Sequence, residues 1–134
     1  MICWPEQFNS RRREAQEMAQ RQAYLVRRLS EVEEDRSTCG FRKRLITAED
    51  TDESSFSVVK FSDAQKHYHK RTTEFYYCLE GEGVLELDAD KVPLSPGTLV
   101  MIEPMVAHRA VGEVTGLVVG SPPFTPEDQF EGGD

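Results

Sequence analysis

The sequence predicts an all-β fold, an antiparallel sandwich or barrel, preceded by one long α-helix. Three observations predict it. From Cys39 onward, short segments of strand-forming residues are separated by turn clusters such as Gly81-Glu82-Gly83, Asp88-Ala89-Asp90 and Ser95-Pro96-Gly97. Many short strands with regular turns read as a sandwich or barrel. Before Cys39 the apolar residues follow a helical period instead. The 134 residues leave room for one domain with one core, and no internal repeat divides them.

Asn9 or Ser10 can cap the helix, which then runs to about Glu34. Ala15, Met18, Leu25, Val26, Leu29 and Val32 form one apolar stripe along it. Such a helix is roughly 37 Å long, longer than a small barrel is wide. Its stripe therefore packs either wholly on its own barrel or partly on a partner subunit. Strand segments follow at 41–46, 55–61, 65–69, 74–79, 83–88, 98–102, 106–111 and 114–120, with an acidic loop from Thr47 to Ser54. After Ser121, the prolines 122, 123 and 126 and the closing Gly132-Gly133-Asp134 read as an extended strap that frays at its end. The chain thus divides into a helical extension (1–38), a β-barrel (39–121) and a C-terminal strap (122–134).

Composition narrows the function classes. The formal charge is −8, and residues 1–30 run against it, with six arginines facing Glu6, Glu14 and Glu17. An acidic barrel repels nucleic acid, and Arg11-Arg12-Arg13 read as a solvated helix face rather than a binding arm. No apolar run approaches the ~18 residues of a membrane span. The start, Met1-Ile2-Cys3-Trp4-Pro5-Glu6, lacks the pattern of a signal peptide. Cys3, Cys39 and Cys78 are odd in number and form no CxxC pair, which points to free thiols and a cytoplasmic location.

All three histidines, His67, His69 and His108, fall in or beside the strand segments. His67 and His69 are two apart, so on one strand both imidazoles face the same side. Glu74 follows after a gap that can reverse the chain and bring it beside them. A lone histidine is more often a satisfied core residue. Three imidazole nitrogens and one carboxylate together suit a single divalent ion such as Fe, Mn, Co, Ni, Cu or Zn. An ion preferring six ligands would keep two positions for water, substrate or dioxygen.

These residues resemble the cupin superfamily. His67-Tyr68-His69, four residues, Glu74, six residues and Gly81 are similar to its first motif, and Gly97 followed by ten residues to His108 to its second. The resemblance implies a conical double-stranded β-helix, a jelly-roll-like barrel holding one metal per chain on His67, His69, Glu74 and His108. Three positions depart from the motifs. Phe61 stands where the first motif opens with glycine, Met105 where the second expects one, and Gly112 where it ends in asparagine. Met105 is therefore expected to take its turn in another conformation, with its polarizable side chain over the metal pocket.

If Glu74 points inward, so do Tyr76 and Cys78, while Phe75, Tyr77 and Leu79 face outward. Tyr76 then either offers a hydroxyl to substrate or fills the core. Cys78, ~13 Å along the strand from Glu74, is a buried small hydrophobe, and Met101 also reads as core. Arg42, Arg44 and Arg109 are the cations best placed to meet an anionic substrate, with Arg109 foremost because it adjoins His108.

The resemblance implies a metal-dependent enzyme on a small polar organic molecule, with Tyr76 and Arg109 as the candidate catalytic residues. A dioxygenase-like oxidoreductase stands slightly ahead of an isomerase or lyase. Glu74 argues against the thiol dioxygenases of the superfamily, which use three histidines alone. The alternatives are a non-catalytic small-molecule binder or sensor and a structural metal that only staples the barrel. About 38 residues before the β region are too few for a DNA-binding helix-turn-helix module. The outward face at Phe75, Tyr77 and Leu79 points to a homodimer.

Overall fold

The computed structural model describes Glu14 and residues 23–133. Among them lie strands β1 (Glu34–Arg36), β2 (Gly40–Ile46), β3 (Ser55–Phe61), β4 (His67–Tyr68), β5 (Thr73–Leu87), β6 (Asp90–Leu94), β7 (Leu99–Ile102), β8 (His108–Ser121) and β9 (Phe130–Glu131). All the pairings are antiparallel. The all-β expectation holds, and no helix among the described residues is long and apolar enough to cross a membrane.

Two long strands build the barrel. β5 and β8 pair from Thr73↔Ser121 to Leu87↔His108. One half of this ribbon is flanked by β7 on one side and by β3, β2 and β1 on the other; the other half is flanked by β6, β4 and β9. The ribbon thus passes from one sheet into the next. It turns at glycines and at an irregularity between Cys78 and Glu80. A Cβ on Gly81 would stand 1.9 Å from the Glu113 carbonyl oxygen, and one on Gly83 would stand 2.3 Å from that of Val111. Gly81-Glu82-Gly83, expected to separate two strands, is therefore the bend within a single one. The two segments expected at 106–111 and 114–120 are likewise one strand, bent at Gly112, where φ is +111°.

The expected helix is not found in residues 23–34. This stretch runs extended, with one 3-10 turn at Leu29–Glu31, and leads into β1; of the rest of the expected helix only Glu14 is described, and it is helical. Side-chain partners account for the extended path. Arg27 reaches the Leu45 carbonyl and grips Asp50, and Lys43 Nζ donates to the Leu29 carbonyl at 3.2 Å. Asp35 meets Arg42 at 2.8 Å and Arg44 at 3.2 Å across the strand pair. Tyr24, Leu25, Val26 and Leu29 are left exposed rather than packed as a stripe.

The core holds Val59, Phe61, Tyr76, Cys78, Leu85, Leu94, Ile102, Ala110 and Val114. Cys78 is buried as expected, but Met101 is not: paired with outward-facing Phe75, it is 57% exposed. The C-terminal strap is anchored as far as Gly132. β9 pairs with β4, and Gly132 N–H donates to the Lys66 carbonyl at 2.9 Å.

Candidate metal centre

The fold brings the four expected ligands together. His67 and His108 are direct cross-strand partners on β4 and β8. Glu74, near the start of β5, lies between Ile102 of β7 and Gly120 of β8 on the inner face. His69 leaves β4 and faces it. All four are buried, and their donor atoms lie within 4.8 Å of one another. Glu74 Oε1 is 3.0 Å from His69 Nε2 and 2.9 Å from His108 Nε2.

The tautomers test whether a cation fits. Each imidazole donates from Nδ1 to a backbone carbonyl: His67 to Gln65 at 2.8 Å, His69 to Asp128 at 2.6 Å and His108 to Val106 at 2.8 Å. A neutral imidazole bonded in this way carries a bare lone pair on Nε2. Two such lone pairs then face the Glu74 carboxylate at hydrogen-bond distance, which is repulsive unless a proton or a cation lies between them. A divalent ion accepts all four donors at once, and carbonyl partners on Nδ1 are the usual outer support of metal-bound histidines. The cluster fits one metal ion.

The electrostatics agree. Burial, and then the neighbouring His108, push His67 down to about 4, so its lone pair stays available. Burial works against the Glu74 carboxylate, yet hydrogen bonds with His108 and His69 outweigh it and hold Glu74 ionised. For His69, burial lowers the pKa, but Glu74 prevails and raises it.

Above the ligands lies a cavity of about 60 Å³, whose wall includes Cys39, Arg42, Ser57, Phe61, Tyr76 and Phe124. Tyr76 is inward and 3% exposed, as strand parity predicts. Its ring stacks on Phe61 at 5.4 Å and meets His108 edge-on at 5.6 Å, so it both fills the core and lines the cavity. Burial, then Glu74, keeps its hydroxyl protonated.

Two expectations need correction. Arg109 is absent from the cavity wall. Neighbours on a strand point to opposite faces, so Arg109 turns away from His108 and binds Glu86, Nε to Oε1, at 2.9 Å. The cation at the cavity is Arg42. Met105 adopts the glycine conformation after all, with φ +75°, held by its N–H to the His69 carbonyl at 2.7 Å. Its side chain is 60% exposed and does not cover the cavity.

Three residues near the ligands escaped the sequence reading. Cys39 Sγ lies 3.9 Å from His67 Nε2, and burial raises its thiol to about 11. Phe124 packs edge-on against His69 at 5.7 Å. Asp128 caps the loop after His69 through the amides of Lys70, Arg71 and Thr72. Cys39 precedes its strand and the other two follow the last expected one, so strand parity could not place them.

The sequence profile of the cupin domain matches residues 58–118, which include all four ligands. L-ectoine synthase of Saccharophagus degradans is 34% identical over 92 residues, covering 63% of this chain and 69% of that protein. A glucose-6-phosphate isomerase of Thermococcus gammatolerans is 37% identical over 59 residues, which are 39% of this chain; the chain spans only 31% of the isomerase. A solved protein from Planctomyces limnophilus superposes with a TM-score of 0.76 at 30% identity, covering 81% of this chain and 97% of that one. With the bent two-sheet barrel, the inward His67-x-His69, Glu74 and His108 set and these likenesses agreeing, the chain belongs to the cupin family.

Proposed function

We propose that this cupin is a metal-dependent enzyme acting on a small polar organic molecule by isomerase- or lyase-type chemistry. The observation that carries the reading is that three of the four clustered ligands, His67, His69 and Glu74, line a cavity that shares Arg42, Ser55, Ser57 and Phe124 with an outer groove. A metal that only stapled the barrel would need no such access. A bound divalent ion supplies Lewis acidity towards a substrate oxygen. The chain does the rest. Backbone carbonyls aim the three Nε2 atoms, and Val59, Phe61 and Val118 keep the floor dry. Ser55, Ser57 and Gln129 offer hydrogen bonds that orient a polar substrate. Tyr76, whose ring meets His108 edge-on, keeps its hydroxyl protonated and is the candidate proton donor.

Cys39 moves the weight away from a dioxygenase. A thiol 3.9 Å from a ligand nitrogen is a poor neighbour for oxygen chemistry, although burial keeps it protonated and slows its oxidation. The names of the relatives do not separate the classes, since they include an isomerase, a synthase and a quercetin 2,3-dioxygenase. A non-catalytic binder with the same ligands is the second reading, favoured by the small inner cavity, which holds about two waters.

The cobalt-loaded protein tests the open site. A weak five- or six-coordinate spectrum that changes on adding azide is expected. An intense tetrahedral spectrum indifferent to anions would remove both the enzyme and the metal-mediated binder. Elemental analysis of protein from its native host separates the chemistries: predominant iron would restore the dioxygenase reading.

A further inference from the structure

The metal cavity is too small to hold a whole substrate. At about 60 Å³ it admits only the reacting end of a molecule, whereas the adjoining groove offers about 590 Å³. Arg42 belongs to both, at their junction. It extends inward from β2, opposite Val59 of β3, and is the only cation on the inner cavity wall among the described residues.

Its guanidinium is held ready. Asp35 fixes Nε at 2.8 Å and Nη2 at 3.5 Å, and the Phe124 ring lies 5.9 Å from its central carbon. Nη1 has no hydrogen-bond partner among the described residues. Asp35 is also shared with Arg44 at 3.2 Å, so two guanidiniums lean on one carboxylate and leave positive charge in excess there. Arg27, the third cation of the groove, is already taken by Asp50. A planar, pre-oriented guanidinium with free N–H groups suits a carboxylate better than any neutral group. Farther out, Glu33, Glu49 and Glu127 line the same groove and would repel a second negative charge.

We infer that Arg42 is the carboxylate subsite of this cupin, and that its substrate is a small monocarboxylate. One oxygen-bearing end of the molecule reaches the metal cavity, and the rest, neutral or cationic, lies in the groove. The inference rests on the metal-site reading above and adds the substrate class to it.

The test uses cobalt-loaded full-length protein, with binding followed by its visible spectrum and by calorimetry. The probes are 4-hydroxybutyrate, its neutral counterpart 1,4-butanediol, and azide. Wild type should bind 4-hydroxybutyrate at least tenfold more tightly than the diol. Arg42→Gln should lose roughly ten- to a hundredfold of that affinity, the usual scale for one charge-assisted pair, while keeping its azide response. Arg109→Gln, which pairs with Glu86 and lines neither the cavity nor the groove, should retain the affinity. Unchanged 4-hydroxybutyrate affinity in Arg42→Gln, with azide still active, would overturn the subsite and leave the metal reading intact. Should Arg42→Gln not fold, equal wild-type affinity for the acid and the diol would overturn it instead. A wild-type spectrum that answers to no probe would overturn the metal-site reading itself.

Discussion

Replacing Asp128 by asparagine should damage both the fold and the metal site. The side chain is 5% exposed. Oδ1 accepts Lys70 N–H at 2.9 Å and Arg71 N–H at 3.2 Å, and Oδ2 accepts Arg71 N–H at 3.2 Å and Thr72 N–H at 3.0 Å. Burial disfavours its charge, but these three amides prevail and hold the carboxyl below its ordinary value. Its stabilisation is therefore present above pH ~4 and is lost as pH falls through the folded value. Asparagine keeps the size but turns an NH2 towards at least one of these donors. A lost charge-assisted bond plus a stranded buried amide costs about 3 kcal/mol. Because the Asp128 carbonyl also holds His69 Nδ1 at 2.6 Å, displacement of the loop reaches a ligand. Outer-shell changes of this kind typically lower metal affinity about 10- to 100-fold. Urea unfolding of the metal-free protein at pH 7 and a competitive metal titration measure the two effects. A ΔΔG below about 0.5 kcal/mol together with wild-type metal affinity would refute the reasoning, since surface substitutions alone give changes that small.

Three further outcomes follow. In metal-free protein, stability should peak near pH ~6.5. Below it, His67, held to about 4 when folded, makes the unfolded state the stronger proton binder, costing on the order of 3 kcal/mol by pH ~4. Above it, the raised pKa of His69 makes its contribution fade as that group deprotonates, so a monotonic rise from pH 5 to 8 would contradict the assignment. Met105→Gly should stabilise by up to about 1 kcal/mol, because it relieves φ +75° at an exposed side chain; a lower midpoint in thermal unfolding would mean that the methionine side chain contributes more than its backbone strain costs. The homodimer is proposed to form through Met101, Phe75, Val119 and Phe56 and the adjacent Leu99, Tyr77, Leu117 and Val58, two cross-strand rows on the outer face. Light scattering should give twice the 15.3 kDa chain mass, and Tyr77→Lys should return it to the monomer; a wild-type monomer at tens of micromolar would exclude that interface.

The barrel and the metal ligands were legible in the sequence through the spacing of two motifs that resemble the cupin superfamily. Alternation then turned Tyr76 and Cys78 to the same side as Glu74 without knowing which strands pair. The same parity rule, applied to Arg109, already sent it outward; proximity in sequence to His108 was the wrong guide. From residue 23 onward the apolar stripe misled, because helical spacing says nothing of partners such as Asp50 and Lys43, which draw residues 23–34 into an extended path. Gly81 and Gly83 looked like a turn because glycine marks turns and close strand contacts alike. The roles of Cys39, Phe124 and Asp128 depend on the closing strap and on cross-strand neighbours, which periodicity does not encode. Met105 shows that a motif glycine can be replaced while its backbone conformation persists.

The central claim is that His67, His69, Glu74 and His108 together hold one metal ion. Metal content of the purified protein by mass spectrometry, after loading with zinc or cobalt and removal of excess, tests it most directly. One ion per chain is expected in wild type, and acid should release it as protons compete for the ligands, at His69, whose pKa is raised, before His67, held to about 4. Folded His67→Ala/His108→Ala protein should retain none. Stoichiometric metal in that double variant, or none in wild type, would contradict the account.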